Sequence, residues 1–115
     1  MSDDLTRIRI MADYGGAYAW DQHGVSIGLG YNFEHIPEIK LIEENLLGWS
    51  GEFSKAENDD PRFPWDDLHK RGIALTSWLN DTIPPDINIE ICYQRPYEDP
   101  LGKMLDEPII FRKRK

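Results

Sequence analysis

The residues of this chain that could perform chemistry are one cysteine, three histidines and a set of carboxylates. Nucleophilic catalysis needs an activated cysteine or serine with a base beside it. No histidine lies near Cys92 in the sequence, and Cys92 lies on the face of an alternating segment opposite Ile91. Most cysteines in intracellular chains are not nucleophiles, so we expect a structural role for Cys92. We predict no catalytic residue and no enzyme activity.

The histidines and carboxylates do not show the spacing of a metal site. A zinc site needs three or four closely spaced ligands, and His23, His35 and His69 form no such pair. Asp66 and His69 would be neighbours on a helix, which is typical of a surface pair. The acidic run 57–60 lacks the glycine and the final glutamate of a calcium loop. We therefore predict neither a metal site nor a cofactor.

The charge of the chain points to a class of function. The formal net charge is −8, and residues 1–111 contain 9 basic and 21 acidic residues, a charge of −12. A body this acidic repels nucleic-acid phosphates and attracts basic proteins. The basic residues 112–115 lack interleaved aromatic residues, so we predict a solvated tail there. We expect a basic protein partner and no nucleic acid.

The composition sets the environment that we expect for the protein. A chain of 115 residues is long enough for one domain with a modest core. One cysteine excludes an internal disulfide and fits a reducing compartment, so we expect a cytoplasmic protein. Because the start, Met1 to Asp4, is polar and acidic, we expect no signal peptide there. No apolar run approaches the roughly 20 residues of a membrane span, so we expect no membrane partner.

Four segments are candidates for strands. Residues 5–12 and 87–94 alternate between apolar and polar residues with the period of two that strands show. Residues 25–29 alternate more weakly, because glycines interrupt them, and residues 109–111 could form an edge strand. In the first of these segments, one face carries Thr6, Ile8, Ile10 and Ala12, and the other carries Arg7 and Arg9.

Two segments are predicted to be helices. The first begins at Pro37, and the second runs from Pro64 or Trp65 to about Asn80, with Gly72 allowing a close approach to another element. Apolar residues recur at steps of three and four in both, which places them on one side of each helix. The stripe of the first helix is Ile39, Ile42, Leu46, Trp49 and Phe53; that of the second is Trp65, Leu68, Gly72, Leu75 and Leu79.

One apolar stripe on each helix and one apolar face on each strand predict an α+β fold. We expect a single two-layer domain over residues 1–111, with two helices packed on one face of a small sheet. Residues 112–115 form the predicted basic C-terminal tail.

Two groups of residues are candidates for contacting a partner. The first combines acidic and aromatic residues, which give large contact area at low entropic cost. The same residues also fit a purely structural role, in which Asp13 caps a turn and Trp20 packs on the sheet. The second group is an acidic loop. The predicted partner-binding residues are Asp13, Tyr14, Trp20 and Asp21 in the first group and Glu57, Asp59 and Asp60 in the second.

The chain resembles a family of small acidic bacterial proteins that open with a strand ending in Ala-Asp-Tyr-Gly. Here that motif is residues 12–15, and Trp20-Asp21, two helices and a final strand follow it, so that the match covers about residues 7–95. Members of the family are similar in size and acidity to the immunity proteins of contact-dependent growth inhibition. The resemblance implies that this chain neutralises a toxin domain.

The acidic charge, the missing catalytic pattern and the resemblance together predict an immunity protein. It would bind a cognate bacterial toxin domain, such as a basic nuclease, and block the active site or substrate groove of that toxin. One alternative is a small metal-dependent hydrolase, which a pocket gathering Asp13, Asp21 and His23 would favour. The other alternative is a regulatory subunit of a stable protein complex.

Overall fold

The computed structural model describes residues 4–13, 16–54, 64–95 and 108–115. The strands form one mixed sheet in the order β2-β1-β3-β4, in which β1 and β3 are parallel and the outer pairs are antiparallel. This arrangement confirms the predicted α+β class. In chain order the elements are β1 (Arg7–Ile10), β2 (Ala19–Trp20), α1 (Leu29–Asn32), α2 (Glu38–Ser54), α3 (Trp65–Thr82), β3 (Glu90–Tyr93) and β4 (Ile109–Arg112).

The two central strands provide the apolar floor of the core. Ile8 of β1 pairs with Ile91 of β3, and Ile10 pairs with Tyr93. All four side chains are buried in the same apolar cluster as the long helices. Alternate residues of a strand point to opposite faces. The intervening pairs, Arg7 with Glu90 and Arg9 with Cys92, therefore lie on the other side of the sheet.

The two long helices bury the stripes that their spacing predicts. In α2 every residue of the stripe is buried, and in α3 the stripe is buried except at Leu75, which is partly exposed. The helices pack on each other and on the side of the sheet that carries Tyr93. Across the described ranges, no helix combines the length and apolar character that a bilayer span requires.

Gly72 is the point at which α3 approaches its neighbours most closely. A Cβ atom on Gly72 would lie 2.5 Å from Cε1 of Tyr93 and 2.6 Å from Cζ2 of Trp49. The indole of Trp49 also donates a hydrogen bond of 2.8 Å to the carbonyl of Leu68, one turn earlier on α3. The close approach predicted at Gly72 is therefore confirmed, and aromatic rings from α2 and β3 fill the space.

The strand predicted over residues 25–29 is wrong. Val25 is 58% exposed, and Ser26 makes only an isolated bridge to Trp20. Gly24 has a φ of +75°, which turns the chain before a longer strand can form. Leu29 is buried and is the first residue of the short helix α1. The alternation of residues did not predict this helix.

Arg112, which the sequence analysis assigns to the tail, is the last residue of β4 and belongs to the folded domain. Its guanidinium group donates to the carbonyls of Asn80 and Ile83, both at 2.7 Å, and to that of Pro84 at 2.9 Å. These acceptors lie at the end of α3, where carbonyl groups have no partner within the helix. Lys115 makes a further hydrogen bond between this C-terminal segment and the domain: its backbone N–H donates to the side chain of Asn88 at 2.7 Å.

Replacing Arg112 by lysine should lower the free energy of unfolding by about 1–2 kcal/mol. Lysine keeps the charge but loses the planar set of donors that reaches several carbonyls at once. Arg114→Lys is the matched control, because Arg114 is exposed and its substitution should change stability by less than about 0.5 kcal/mol. Equal urea denaturation midpoints for the two variants would show that Arg112 does not hold the end of α3.

Candidate functional site

Asp13 shapes a turn that is fastened to α2. Its backbone N–H donates to the carbonyl of Ala17 at 3.2 Å, and its carbonyl accepts from Gly16 at 3.3 Å. The hydroxyl of Ser50, which is fully buried, donates to the carbonyl of Ala17 at 2.7 Å. The backbone of Asp13 therefore has the structural role that the sequence analysis gave as the alternative to partner binding.

Trp20 and Asp21 are also engaged within the domain. The indole N–H of Trp20 donates to the carbonyl of Met11 at 3.0 Å. One carboxylate oxygen of Asp21 accepts from the backbone N–H groups of His23 at 2.8 Å and Val25 at 2.9 Å. These hydrogen bonds, that of Val25 above all, hold the pKa of Asp21 below its usual range, because they favour the charged carboxylate. Asp21 thus organises the turn that follows β2.

The lowered pKa of Asp21 predicts a pH dependence of stability. The carboxylate stabilises the fold above its unfolded pKa of about 3.9, and this contribution is lost as the pH falls through the lower folded pKa. Asp21→Asn should therefore be less stable than the unmodified protein at pH 6, and the gap should narrow toward pH 3. Urea denaturation at the two pH values measures this difference in stability. A gap that is constant with pH would contradict the role of the charged carboxylate.

The structure does not gather the residues that would favour a hydrolase. Asp13 lies three residues after Ile10, the last residue of β1, whereas Asp21 and His23 lie in the turn at the other end of that strand. The adjoining Gln22 marks that end, since its side chain accepts from the backbone N–H of Thr6 at 3.0 Å. Within the described ranges, no group of three or more histidine, cysteine or carboxylate side chains could hold a metal ion.

The remaining predicted partner-binding residues lie outside the residues that the structure describes. They are Tyr14, Glu57, Asp59 and Asp60. Their part in binding stays a prediction.

Cys92 and His69 have the surroundings of core residues. Cys92 is fully buried, and burial raises the pKa of its thiol to about 11, which keeps it protonated at neutral pH. His69 is also buried, and its Nδ1 lies 3.0 Å from the hydroxyl of Tyr93. A buried polar ring needs such a partner, so a structural role accounts for this histidine.

A partly buried carboxylate, which the sequence analysis did not single out, connects β2, α1 and α2. The hydroxyl of Tyr18 donates to the carboxylate of Glu43, and the same carboxylate accepts from the N–H of Gly30 at 3.2 Å. The hydroxyl of Tyr18 in turn accepts from the N–H of Leu29 at 3.0 Å. Burial and the hydrogen bond to Glu43 raise the pKa of Tyr18. The cluster accepts hydrogen bonds from the N–H groups of Leu29 and Gly30 at the start of α1. A Cβ atom at position 30 would lie 2.6 Å from Oε1 of Glu43, so this contact favours glycine there.

The two long helices carry more acidic than basic residues. The helical layer, defined as α2 and α3, holds seven acidic and three basic residues, and all of these acids except Glu43 are exposed. The four strands hold three arginines and one acid, Glu90. The residues Lys113 to Lys115 extend the basic end of β4. Among the described residues, the helical layer therefore has a formal charge of −4 (three basic minus seven acidic), whereas the described residues outside it contain six acidic and seven basic residues.

A groove of about 370 Å³ runs between α2 and α3 on the outside of the helical layer. An ion pair spans it, in which both terminal nitrogens of Arg71 contact the carboxylate of Glu52, at 2.6 Å and 2.9 Å. Glu44 adds a second acid to the groove. The residues that line it are Glu44, Asn45, Gly48, Trp49, Glu52, Arg71, Ala74 and Leu75.

Exposed apolar side chains of α1 and α2 are candidates that the sequence analysis missed. Leu41, one turn before Glu44 on α2, is 51% exposed, and Leu47 is 48% exposed. Tyr31 of α1 is 86% exposed. The sequence contained a signal for the two leucines, because both are apolar residues that fall off the buried stripe of α2. They add the surface of α2 to the candidate residues that the sequence predicts.

Comparisons with known proteins identify no relative: no family model, curated protein or solved structure matches this chain. The candidate site is therefore defined by its own geometry and charge, and the resemblance to immunity proteins stays a prediction.

Proposed function

We propose that this chain is an immunity protein that binds a basic toxin domain and blocks its active site or substrate groove. The supporting observation is the excess of acids on the helical layer, which holds seven acidic and three basic residues, with six of the acids exposed. A field of one sign over one surface steers an oppositely charged partner toward that surface. In this proposal the protein acts in the cytoplasm, where the toxin arrives.

The groove between α2 and α3 supplies the contacts that follow the encounter. Exposed acids on its rim, such as Glu44, would attract lysine and arginine side chains of the toxin. Leu41 and Leu47 would provide apolar anchors, since both are exposed on α2. Buried anchors slow dissociation, whereas rim charges mainly set the association rate. The chain itself performs no chemistry in this proposal.

The first test concerns the reading frame immediately upstream of the one that encodes this chain. We expect it to encode a large secreted protein with a toxin-like C-terminal domain. That domain, expressed alone, should arrest growth, and co-expression of this chain should restore growth. A non-toxic neighbour that co-purifies with this chain would instead support the regulatory-subunit alternative. Toxicity that this chain does not relieve would contradict the proposal for that pair.

The second test measures binding kinetics with the toxin domain at two salt concentrations. Neutralising Glu44 and Asp66 on the helical layer should slow association at low salt, and added salt should shrink the difference. The matched control neutralises Asp4 and Asp86, which are exposed outside the helical layer and remove the same charge. Leu41→Ala should mainly speed dissociation. Equal association rates for the two charge variants would remove the helical layer from this proposal.

A further inference from the structure

The helices α2 and α3 are antiparallel and are linked across their outer surface near both ends. Glu52, near the end of α2, pairs with Arg71, near the start of α3. Glu38, the first residue of α2, accepts a hydrogen bond of 2.7 Å from the indole N–H of Trp78, near the end of α3. The two links are separated on α2 by about 21 Å, at the rise of 1.5 Å per residue of an α-helix. The groove between the helices begins at the first link and runs along the helix axes.

The groove is open to solvent, and its lining includes two residues that have little or no side chain. Gly48 of α2 and Ala74 of α3 both line it, and both are exposed. A Cβ atom on Gly48 would meet no atom within 4 Å. Leu41 is 51% exposed and lies two turns before Gly48 on the same side of α2, and the partly exposed Leu75 adds an apolar wall. Another backbone can therefore approach this surface closely and bury apolar area against it.

The rim of the groove is acidic. Glu44 lines it and is exposed. The guanidinium group of Arg71 is held by Glu52, at 2.6 Å and 2.9 Å, and by Asp67, at 2.9 Å. These four residues are one basic and three acidic, so their formal charge is −2. Complementary charge across an interface suppresses wrong partners and fixes the register of the right one. The occupant that fits this rim is therefore basic.

We propose that the groove takes one amphipathic α-helix of the toxin domain, with small and apolar residues against Gly48 and Ala74 and with lysine or arginine beside Glu44. This inference rests on the proposed function and specifies which element of the toxin binds. The backbone groups in the middle of α2 and α3 are hydrogen-bonded within their own helices, so they offer no partners to an extended segment. An extended segment would lose the water that satisfies its backbone, whereas a helix satisfies its own. Apolar side chains at helical spacing then pack between the ridges of α2 and α3.

The test follows the backbone amide signals of the full chain by ¹⁵N NMR. The probe is a synthetic peptide of about 18 alanine, leucine and lysine residues, because shorter helices are marginal in water. Leucine and alanine lie on one side of its helix and lysine on the other. The control peptide has proline at two central alanine positions, which breaks the helix and leaves the charge unchanged. The helical peptide should shift the signals of Gly48, Ala74 and Leu75 in a saturable way, and the proline peptide should bind about tenfold more weakly or less.

Two glutamine variants of α2 separate the groove from general attraction between charges. Gly48→Gln fills the groove with a neutral, polar side chain and should weaken binding of the helical peptide about tenfold or more. Gly51→Gln is the matched control, because its Cβ also meets no atom within 4 Å and Gly51 does not line the groove. It should leave the affinity within about twofold. Glutamine favours helix over glycine, so both variants should fold. Glu44→Gln should weaken binding about two- to fivefold at low salt and less at high salt.

Several outcomes would overturn the inference. They are the absence of saturable shifts at the groove, and equal weakening by the two glutamine variants. A proline peptide that binds as tightly as the helical one would indicate an extended occupant. Groove signals that shift with protein concentration alone would indicate a second copy of this chain. Since the experiment contains no toxin, each of these results is distinct from a failure of the growth test, which decides the proposed function.

Discussion

Replacing Trp49 by alanine should lower the free energy of unfolding by about 3–5 kcal/mol. Trp49 is among the largest fully buried side chains, and its ring centroid lies 6.0 Å from that of Tyr93 on the sheet. Alanine would leave a cavity where α2, α3 and β3 meet, and it would remove the donor to the carbonyl of Leu68. Domains of this size are stable by only about 5–15 kcal/mol, so the variant should unfold at a much lower urea concentration.

Two matched variants show which part of Trp49 matters. Trp49→Phe keeps an aromatic ring but loses the hydrogen bond to Leu68, and it should cost about 1–3 kcal/mol. Leu47→Ala, on the exposed side of the same helix, should change stability by less than about 0.5 kcal/mol. Urea denaturation followed by fluorescence of the remaining tryptophans measures all three. An unchanged midpoint for Trp49→Ala would contradict its place in the core.

Substituting alanine for glycine should have opposite effects at two helical positions. Gly72→Ala should destabilise by about 2–3 kcal/mol, because the new Cβ would collide with the rings of Tyr93 and Trp49. Gly48→Ala on α2 has no atom within 4 Å of the new Cβ, so the higher helix propensity of alanine should stabilise by about 0.5–1 kcal/mol. The same chemical change thus tests packing at one site and backbone entropy at the other.

Thermal or urea denaturation of the two glycine variants shows whether each substitution raises or lowers the stability of the fold. A third variant, Gly72→Ala combined with Tyr93→Phe, should remain destabilised, because the clash involves the ring carbons and not the hydroxyl. Stabilisation by Gly72→Ala would mean that α3 can move away from the sheet, and it would contradict the tight packing at this position.

The parts of the fold that could be predicted are those in which one element carries its own signal. The stripe of α2 repeats every three to four residues, and the alternation of β1 separates Ile8 from Arg7 without reference to any other segment. The close packing at Gly72 could be predicted because a glycine within the apolar stripe of a helix usually marks a close approach to another element. These signals depend on the geometry of a single helix or strand, which the order of residues specifies locally.

The prediction of a strand at residues 25–29 was wrong because the residues that decide the structure there lie before the alternating segment. Alternation over three apolar residues is weak when glycines interrupt it. The carboxylate of Asp21 and the positive φ of Gly24 close a turn there, and the cluster around Tyr18 then starts α1. An alternation with a period of two does not reveal the combined effect of this turn and of the partly buried carboxylate of Glu43.

Composition and local periodicity establish that this chain has two amphipathic helices, at least two alternating strands and an acidic balance of charge. They do so because helix and strand geometry repeat every few residues. The parallel pairing of β1 with β3 and the placement of Arg112 at the end of α3 involve residues far apart in the chain. Such contacts depend on how whole elements pack, so they exist only once the tertiary structure has formed.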